Sequence, residues 1–279
     1  MSVWLLKCIN NIFPLPIHPF NLQNDNVKSY AEWQFEKADN TIQYYLDAVN
    51  KDEMFKDKVV LDIGCGAAGK TLSYATSGVK HIYGVDVVDY YEKEAMELAN
   101  QKGLTDIFTF LCADASKLSF NDNFFDTIIM NDAMEHVDKP LEVLKECYRI
   151  LKPGGRLFVN FPPYYHPFGA HLSDVIGIPW VHMFFTEKTL INGYKDLVQK
   201  HPDAQKRIDF RIGKKEDGEE YFSYINKMTL KRFSTILPQT KYKVFYSREV
   251  PLRHFLMAFA KIPVLKEMFV KMAVYILEK

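Results

Sequence analysis

The segment Val59-Val60-Leu61-Asp62-Ile63-Gly64-Cys65-Gly66-Ala67-Ala68-Gly69-Lys70-Thr71 constrains this chain more than any other. An apolar run ends in an acid, closely spaced glycines follow, and a helix-compatible stretch begins. That order predicts a strand, a tight turn and a helix N-terminus, with backbone brought close to a small ligand. Three ligand classes fit the spacing. Gly64-x-Gly66-x-x-Gly69 reads as a dinucleotide fingerprint, and Gly64-x-x-x-x-Gly69-Lys70-Thr71 reads as a phosphate-binding loop. Asp62-x-Gly64-x-Gly66 fits a ligand that carries positive charge and no phosphate.

Charge separates the three. Phosphate loops receive an anion, cradled by amide N–H groups at a helix N-terminus. A carboxylate two residues before the first glycine repels that anion, and Asp62 stands there. S-adenosylmethionine instead carries a sulfonium and an ammonium, which a carboxylate attracts. Lys70 would grip phosphate in the second reading; its plainer role is a solvated side chain on the first helical turn. Asp62 also has a plain role, as a turn or capping acid. Two further acids tilt the balance. His81-Ile82-Tyr83-Gly84-Val85-Asp86 predicts a second strand ending in Asp86, with Val87 beside it, where a carboxylate can take both ribose hydroxyls. Phe108-Thr109-Phe110-Leu111-Cys112-Ala113-Asp114-Ala115 predicts a third strand ending in Asp114, which can accept from an adenine amino group. Three acids at three successive strand ends, near one sheet edge, favour S-adenosylmethionine over a nucleotide.

With these motifs in view, the sequence resembles class I S-adenosylmethionine-dependent methyltransferases, in the small-molecule group that includes the ubiquinone-biosynthesis type. The resemblance rests on Leu61-Asp62-Ile63-Gly64-Cys65-Gly66, Val85-Asp86 and Ala113-Asp114-Ala115, then on Phe125-Asp126-Thr127-Ile128-Ile129, Glu135-His136-Val137 and Leu151-Lys152-Pro153-Gly154-Gly155. It covers residues 58–161 well and the C-terminal part loosely. It implies S-adenosylmethionine as cofactor, held by Asp62, Gly64, Cys65 and Gly66 around the methionine part, Asp86 and Val87 at the ribose, Asp114 and Ala115 at the adenine, and the backbone of Asn131. It also implies a seven-stranded sheet whose last strand is antiparallel. A protein that binds the cofactor without catalysis is the alternative reading.

The rest of the chain fits a doubly wound, mostly parallel α/β sheet. Predicted strands at 58–63, 81–86, 107–112, 125–130 and 156–161 alternate with helices at 69–77, 90–102 and 140–151, the signature of a parallel sheet covered on both faces. Lys152-Pro153-Gly154-Gly155 reads as the stop between the last of these helices and the fifth strand. Residues 29–49 read as a helix opened by a Ser29/Glu32 capping box. Residues 227–236 read as a helix, 254–269 as an apolar helical segment, and 242–246 and 272–277 as two closing strands. Residues 1–279 form a single methyltransferase domain in this reading.

Composition narrows the partners. Lys+Arg and Asp+Glu are both 35, so the chain lacks the basic excess of a dedicated nucleic-acid binder. Cys8, Cys65, Cys112 and Cys147 form no Cys-x-x-Cys pair, which suits neither a zinc site nor a disulfide framework and makes a reducing cytoplasm the default. Residues 1–20 are apolar but broken by prolines, and read either as an arm packed on the domain or as a surface for lipid or an apolar substrate.

Residues 162–226 break the strand–helix rhythm and read as an insertion after the fifth strand, at the sheet end where ligands bind. Tyr164, Tyr165, Phe168, Trp180, Phe184 and Phe185 crowd its first part, which suits a small, partly apolar or aromatic methyl acceptor. His166 or His171 is the candidate base for proton removal from that acceptor, with His136 as the second choice.

Overall fold

In the computed structural model, residues 2–18, 21, 29–253, 262 and 265–279 are described. They fold as two compact units: Lys28–Phe161 with Leu230–Val250 and Met272–Lys279, and Met1–Val27 with Pro162–Thr229 and Pro251–Lys271.

The first of these units is built on a seven-stranded sheet. Its strands are β1 (Val59–Ile63), β2 (His81–Asp86), β3 (Phe108–Cys112), β4 (Phe125–Asn131), β5 (Leu151–Phe161), β8 (Lys243–Pro251) and β9 (Val270–Glu278), in the order β3-β2-β1-β4-β5-β9-β8. The pairs β1–β2, β2–β3, β1–β4 and β4–β5 are parallel, and β5–β9 is antiparallel. The sequence expectation of a mostly parallel doubly wound sheet therefore holds. The order reverses at β1, so the carboxyl ends of β1, β2, β3 and β4 meet at one edge, where open α/β sheets take ligands.

Helices α2 (Tyr30–Ile42), α4 (Gly69–Ala75) and α5 (Tyr91–Lys102) share one core with the sheet, in which Ala31, Ala38, Ile42, Leu72, Ala95 and Leu98 meet Val60, Ile82, Ile129 and Phe158. Between α2 and β1 lies the short α3 (Lys51–Phe55). Helix α6 (Pro140–Ile150) begins with proline at its first turn and buries Val143, Leu144, Cys147 and Ile150. The Ser29/Glu32 capping box forms as the spacing predicts, but α2 ends at Ile42, seven residues short of the expected helix end, and continues as turns.

The clearest departure is at Lys152-Pro153-Gly154-Gly155. The motif lies inside β5 and does not precede it: Leu151 pairs with Phe125, the register shifts, and pairing resumes at Arg156 with Thr127. Gly154 takes φ 76°. The extra residues are absorbed as a bulge, which sequence periodicity does not distinguish from a turn.

The second unit has its own core, in which Leu6 of α1 (Val3–Asn10) meets Leu172, Val175, Ile176, Val181, Phe185, Tyr194 and Phe222. Its other elements are α7 (Val181–Phe184), α8 (Glu187–Val198), α9 (Ala204–Arg211) and the hairpin β6 (Ile212–Lys214) with β7 (Glu220–Phe222). The charged stretch after Lys214 is the exposed hairpin tip, as its composition predicts. The N-terminal arm packs through Leu6 and through Asn10, which donates to Val175 O at 2.9 Å and accepts from Gly177 N at 2.8 Å. Trp4, Ile12 and Ile17 of the same arm stay exposed. Asp174 is wholly buried between Arg207 and Arg211 and also accepts from Tyr194 Oη at 2.9 Å. The sheet-bearing unit is completed by α10 (Leu230–Ile236). Of the expected helical segment at 254–269, residues 254–261, 263 and 264 lie outside the described residues, and Lys266–Phe269 is a 3₁₀ turn.

Close approach fixes Gly69. A Cβ on Gly69 would sit 1.9 Å from Ala31 O of α2. Gly69→Ala is therefore expected to cost about 3 kcal/mol or more in unfolding free energy, since backbone must move. Gly103, at φ 67° with nothing within 4 Å, should lose only about 1 kcal/mol on the same change, from conformation alone. Equal losses in chemical denaturation would contradict this packing account.

Candidate functional site

The glycine turn is pinned mainly by its own amides. Gly64 N and Cys65 N donate to Val85 O at 2.8 and 3.1 Å, and Gly66 N donates to Asp86 Oδ2 at 2.8 Å. Ala68 N donates to Cys65 O, and Gly69 N, opening α4, donates to Gln34 Oε1 at 3.2 Å. A phosphate loop turns such amides toward an anion; here these five serve the fold. Lys70, the residue of interest in a phosphate loop, instead pairs with Asp132 at 3.0 Å. Gly64 and Gly66 are left-handed, at φ 70° and 57°, and side chains there would meet Ala133, or Gln34 and Tyr30.

Asp62 lies 4% exposed and accepts from Thr71 Oγ1 at 2.6 Å. Burial pushes its carboxyl up from 3.8 to about 6, against the opposing Thr71 bond and the Lys70 charge. Its described contact is internal, tying the end of β1 to α4, which is the plain structural role. Asp86 holds the turn through Gly66 N and its own loop through Val88 N, at 3.0 Å to Oδ1. Burial raises its pKa as well, and backbone bonds from Val88, Gly66 and Val87 oppose the rise. Each oxygen keeps a second lone pair for a ligand hydroxyl.

The other strand ends join this chain of contacts. Asp86 O accepts from Ala113 N at 3.0 Å, which links the loop after β2 to that after β3. Asp114 is exposed, and its Oδ1 accepts from Ser116 N at 2.8 Å. Ala115 is buried, whereas Val87 is 69% exposed. Cys65 is buried against Gly84 of β2, and burial pushes its thiol up. Asn131 is buried at the end of β4 with its side chain committed: Oδ1 accepts from Tyr45 Oη and Asn160 Nδ2, both at 2.7 Å, and Nδ2 donates to Tyr74 Oη at 3.3 Å. The structure thus gathers Asp62, Gly64, Cys65, Gly66, Asp86, Asp114, Ala115 and Asn131 at one sheet edge.

Two residues were missed by sequence reasoning. Tyr30 and Gln34 of α2 cover Gly66, and Gln34 also caps Gly69. The available signal was Gln34 itself, a polar residue on the otherwise apolar face carrying Tyr30 and Ala38.

The histidines fall in different units. His136, exposed in the sheet-bearing unit, has Nε2 3.9 Å from Oε1 of the buried Glu135. Its charge bears on Asp86, which places it among the strand-end acids. Burial pushes the Glu135 carboxyl well up, reinforced by Asp132. In the other unit, His166 Nδ1 accepts from Phe168 N at 3.2 Å, and burial lowers it to about 4. His171 takes φ 52°, and its carbonyl accepts from Tyr224 Oη at 2.6 Å and Arg211 Nε at 3.3 Å.

The site's donor set fits S-adenosylmethionine. Acidic acceptors suit ribose hydroxyls, an adenine amino group and a cationic methionine end, and five amides of the turn, between Gly64 and Gly69, are engaged within the fold.

Asp62 yields a stability test. Its folded pKa lies above the ordinary 3.8, so the native state holds its proton more tightly and stability falls as pH rises through about 4 to 6. The difference amounts to about 3 kcal/mol. In Asp62→Asn, that part of the pH dependence of unfolding should vanish; an unchanged profile would contradict the burial account.

Comparison with known proteins agrees with this geometry. Residues 61–159 match the family model described as a methyltransferase domain. A sterol 24-C-methyltransferase of Neurospora crassa is 39% identical over 100 residues, covering 36% of this chain and 26% of that protein. A ubiquinone biosynthesis O-methyltransferase of Coxiella burnetii is 33% identical over 139 residues, 49% of this chain and 56% of the relative. The chain thus spans between about a quarter and about half of the length of these relatives. Among solved structures, an S-adenosylmethionine-dependent methyltransferase of Methanosarcina mazei superposes with a TM-score of 0.50 at 21% identity, over 82% of this chain and 95% of that one. With the strand order, the glycine turn and the three strand-end acids, residues 61–159 are similar to a methyltransferase domain, and the solved structure shares the fold.

Proposed function

We propose that the protein transfers the methyl group of S-adenosylmethionine to a small, partly apolar or aromatic acceptor. The observation that carries this reading is the glycine turn, five of whose amides bond within the fold while Asp62, Asp86 and Asp114 stand around it. When bound, the sulfonium supplies an electrophilic methyl. An acceptor nucleophile bonds to that carbon as the carbon–sulfur bond breaks, the electron pair stays on sulfur, and S-adenosylhomocysteine leaves. The protein's part is alignment, exclusion of water and, for an oxygen or carbon acceptor, removal of a proton. In this proposal Gly64, Cys65 and Gly66 bring backbone to the methionine part, Asp86 and Val87 hold the ribose, Asp114 and Ala115 the adenine, and the Asn131 backbone approaches the methionine part. Asp62 acts mainly by holding β1 to α4.

For the base, His136 is favoured over His166. It stands beside Glu135 and near Asp86. His166 has one ring nitrogen engaged by an amide and is lowered to about 4, too weak a base near neutral pH. The aromatic segment after β5 is proposed to form the acceptor side. The sterol and ubiquinone-biosynthesis relatives support an apolar or ring-bearing acceptor.

Calorimetry and label transfer test the proposal. S-adenosylhomocysteine should bind and ATP should not; Asp86→Ala should weaken the former at least tenfold and Lys70→Ala less than threefold. ATP binding lost in Lys70→Ala would overturn the cofactor assignment. Labelled methyl should pass from S-adenosylmethionine to a ring-bearing acceptor. His136→Ala should then lower turnover by about 10²–10⁴ with S-adenosylhomocysteine affinity kept within threefold. Near-normal turnover in His136→Ala would remove it as the base.

A further inference from the structure

A ligand ammonium at the glycine turn needs an acid that it can reach. Asp62 is the sequence candidate, but it is 4% exposed and its Oδ2 accepts from Thr71. Asp132, the residue after β4, is far more open, with its side chain 40% exposed. It abuts the turn through its neighbour: a Cβ on Gly64 would lie 2.7 Å from Ala133 Cβ. Asp132, Gly64 and Asp86 all belong to the sheet-bearing unit.

The backbone places Asp132. Its φ is 52°, a left-handed value that aspartate tolerates better than most side chains. Its amide donates to Asn160, toward the carbonyl at 3.1 Å and toward Oδ1 at 3.2 Å, and Asn160 is tied in turn to Asn131. Lys70 takes Oδ2 at 3.0 Å, and Oδ1 has no hydrogen-bond partner among the described residues. Tyr30 of α2 lies over Gly66, with Cε1 and Oη 3.3 and 3.5 Å from where a Cβ would stand. Its ring is held by Trp33, stacked at 6.4 Å, and by Tyr91 at 5.8 Å. The hydroxyl makes no hydrogen bond among the described residues. Burial first, then the charges of Asp86 and Asp132, push it up, so it keeps its proton at ordinary pH. Both carboxylates therefore bear on one phenol oxygen.

We propose that Asp132 Oδ1 and the Tyr30 hydroxyl bind the α-ammonium of the cofactor's methionine end, which makes both residues determinants of cofactor specificity. This rests on the S-adenosylmethionine reading above. The chemistry selects a cation, because an anion near Asp132 and Asp86 is repelled by both. A neutral hydroxyl leaves the carboxylate charge uncompensated. An ammonium brings three donors and no acceptor, and Oδ1 and the phenol oxygen both accept. The bond to Oδ1 is charge-assisted, about twice as strong as a neutral one. The aromatic ring beside it adds cation–π attraction. Neither residue moves a proton; both orient the methionine end against Gly64 and Gly66.

Calorimetry on the full chain with three ligands tests this. S-adenosylhomocysteine carries the ammonium and a carboxylate, its decarboxylated analogue carries the ammonium alone, and 5′-methylthioadenosine carries neither. The wild type should bind the first two at least about tenfold more tightly than the third. Asp132→Asn, which keeps the shape and tolerates the left-handed backbone, should weaken the first two by about tenfold. Tyr30→Phe, which keeps the ring, should weaken them by about threefold. Both variants should bind 5′-methylthioadenosine within about twofold of the wild type, which also shows the turn to be intact. Equal losses for all three ligands, unchanged S-adenosylhomocysteine affinity in either variant, or a decarboxylated analogue that binds no better than 5′-methylthioadenosine would each overturn the assignment. Turnover lost in Asp132→Asn with S-adenosylhomocysteine affinity unchanged would give Asp132 to the acceptor instead. A wild type that binds none of the three sinks the S-adenosylmethionine reading, whereas S-adenosylhomocysteine binding that ignores both substitutions sinks this subsite alone.

Discussion

The carboxylate of Asp86 is the contact on which the cofactor edge depends. Its two oxygens hold Gly66 N and Val88 N, and its carbonyl holds Ala113 N, so one residue joins the loops after β1, β2 and β3. Hydrogen bonds to a carboxylate are stronger than neutral ones. Here they also offset the burial that raises the Asp86 pKa. The glycine turn is thereby shaped before any ligand arrives, which lowers the ordering cost of binding.

Beneath this edge lies a second layer of buried polar contacts. Thr71 clamps Asp62, and Tyr45, Tyr74 and Asn160 converge on Asn131. Such networks are favourable when satisfied and costly when one member is removed. They leave the ends of β1 and β4 little freedom to move. Helix α2 completes the arrangement from outside, where Gln34 bonds the first amide of α4. This edge therefore depends in part on residues far from it in sequence, on α2 and β5.

The parts of this arrangement legible in the sequence are those written in local patterns. The glycine turn, the acids closing β2 and β3, and the strand–helix alternation each leave a short-range trace. What was not legible depends on three-dimensional neighbours. The β5 bulge looks like a turn because Pro153 and Gly154 serve either purpose, and only pairing with β4 and β9 decides. Asp62 reads as a ligand contact by charge and position, and its bond from Thr71 of the next helix leaves no local trace. The bond that His166 Nδ1 accepts from Phe168 N is likewise not written in the sequence.

Backbone amide chemical shifts followed on addition of S-adenosylhomocysteine test the central claim most directly. A cofactor seated against the Asp86-pinned turn should move the amides of Gly64, Cys65, Gly66, Val87 and Ala115 together, with a common saturation point. A response centred instead on Gly69, Lys70 and Thr71, where a phosphate loop would grip its ligand, or one that leaves Gly64–Gly66 unmoved, would contradict the account.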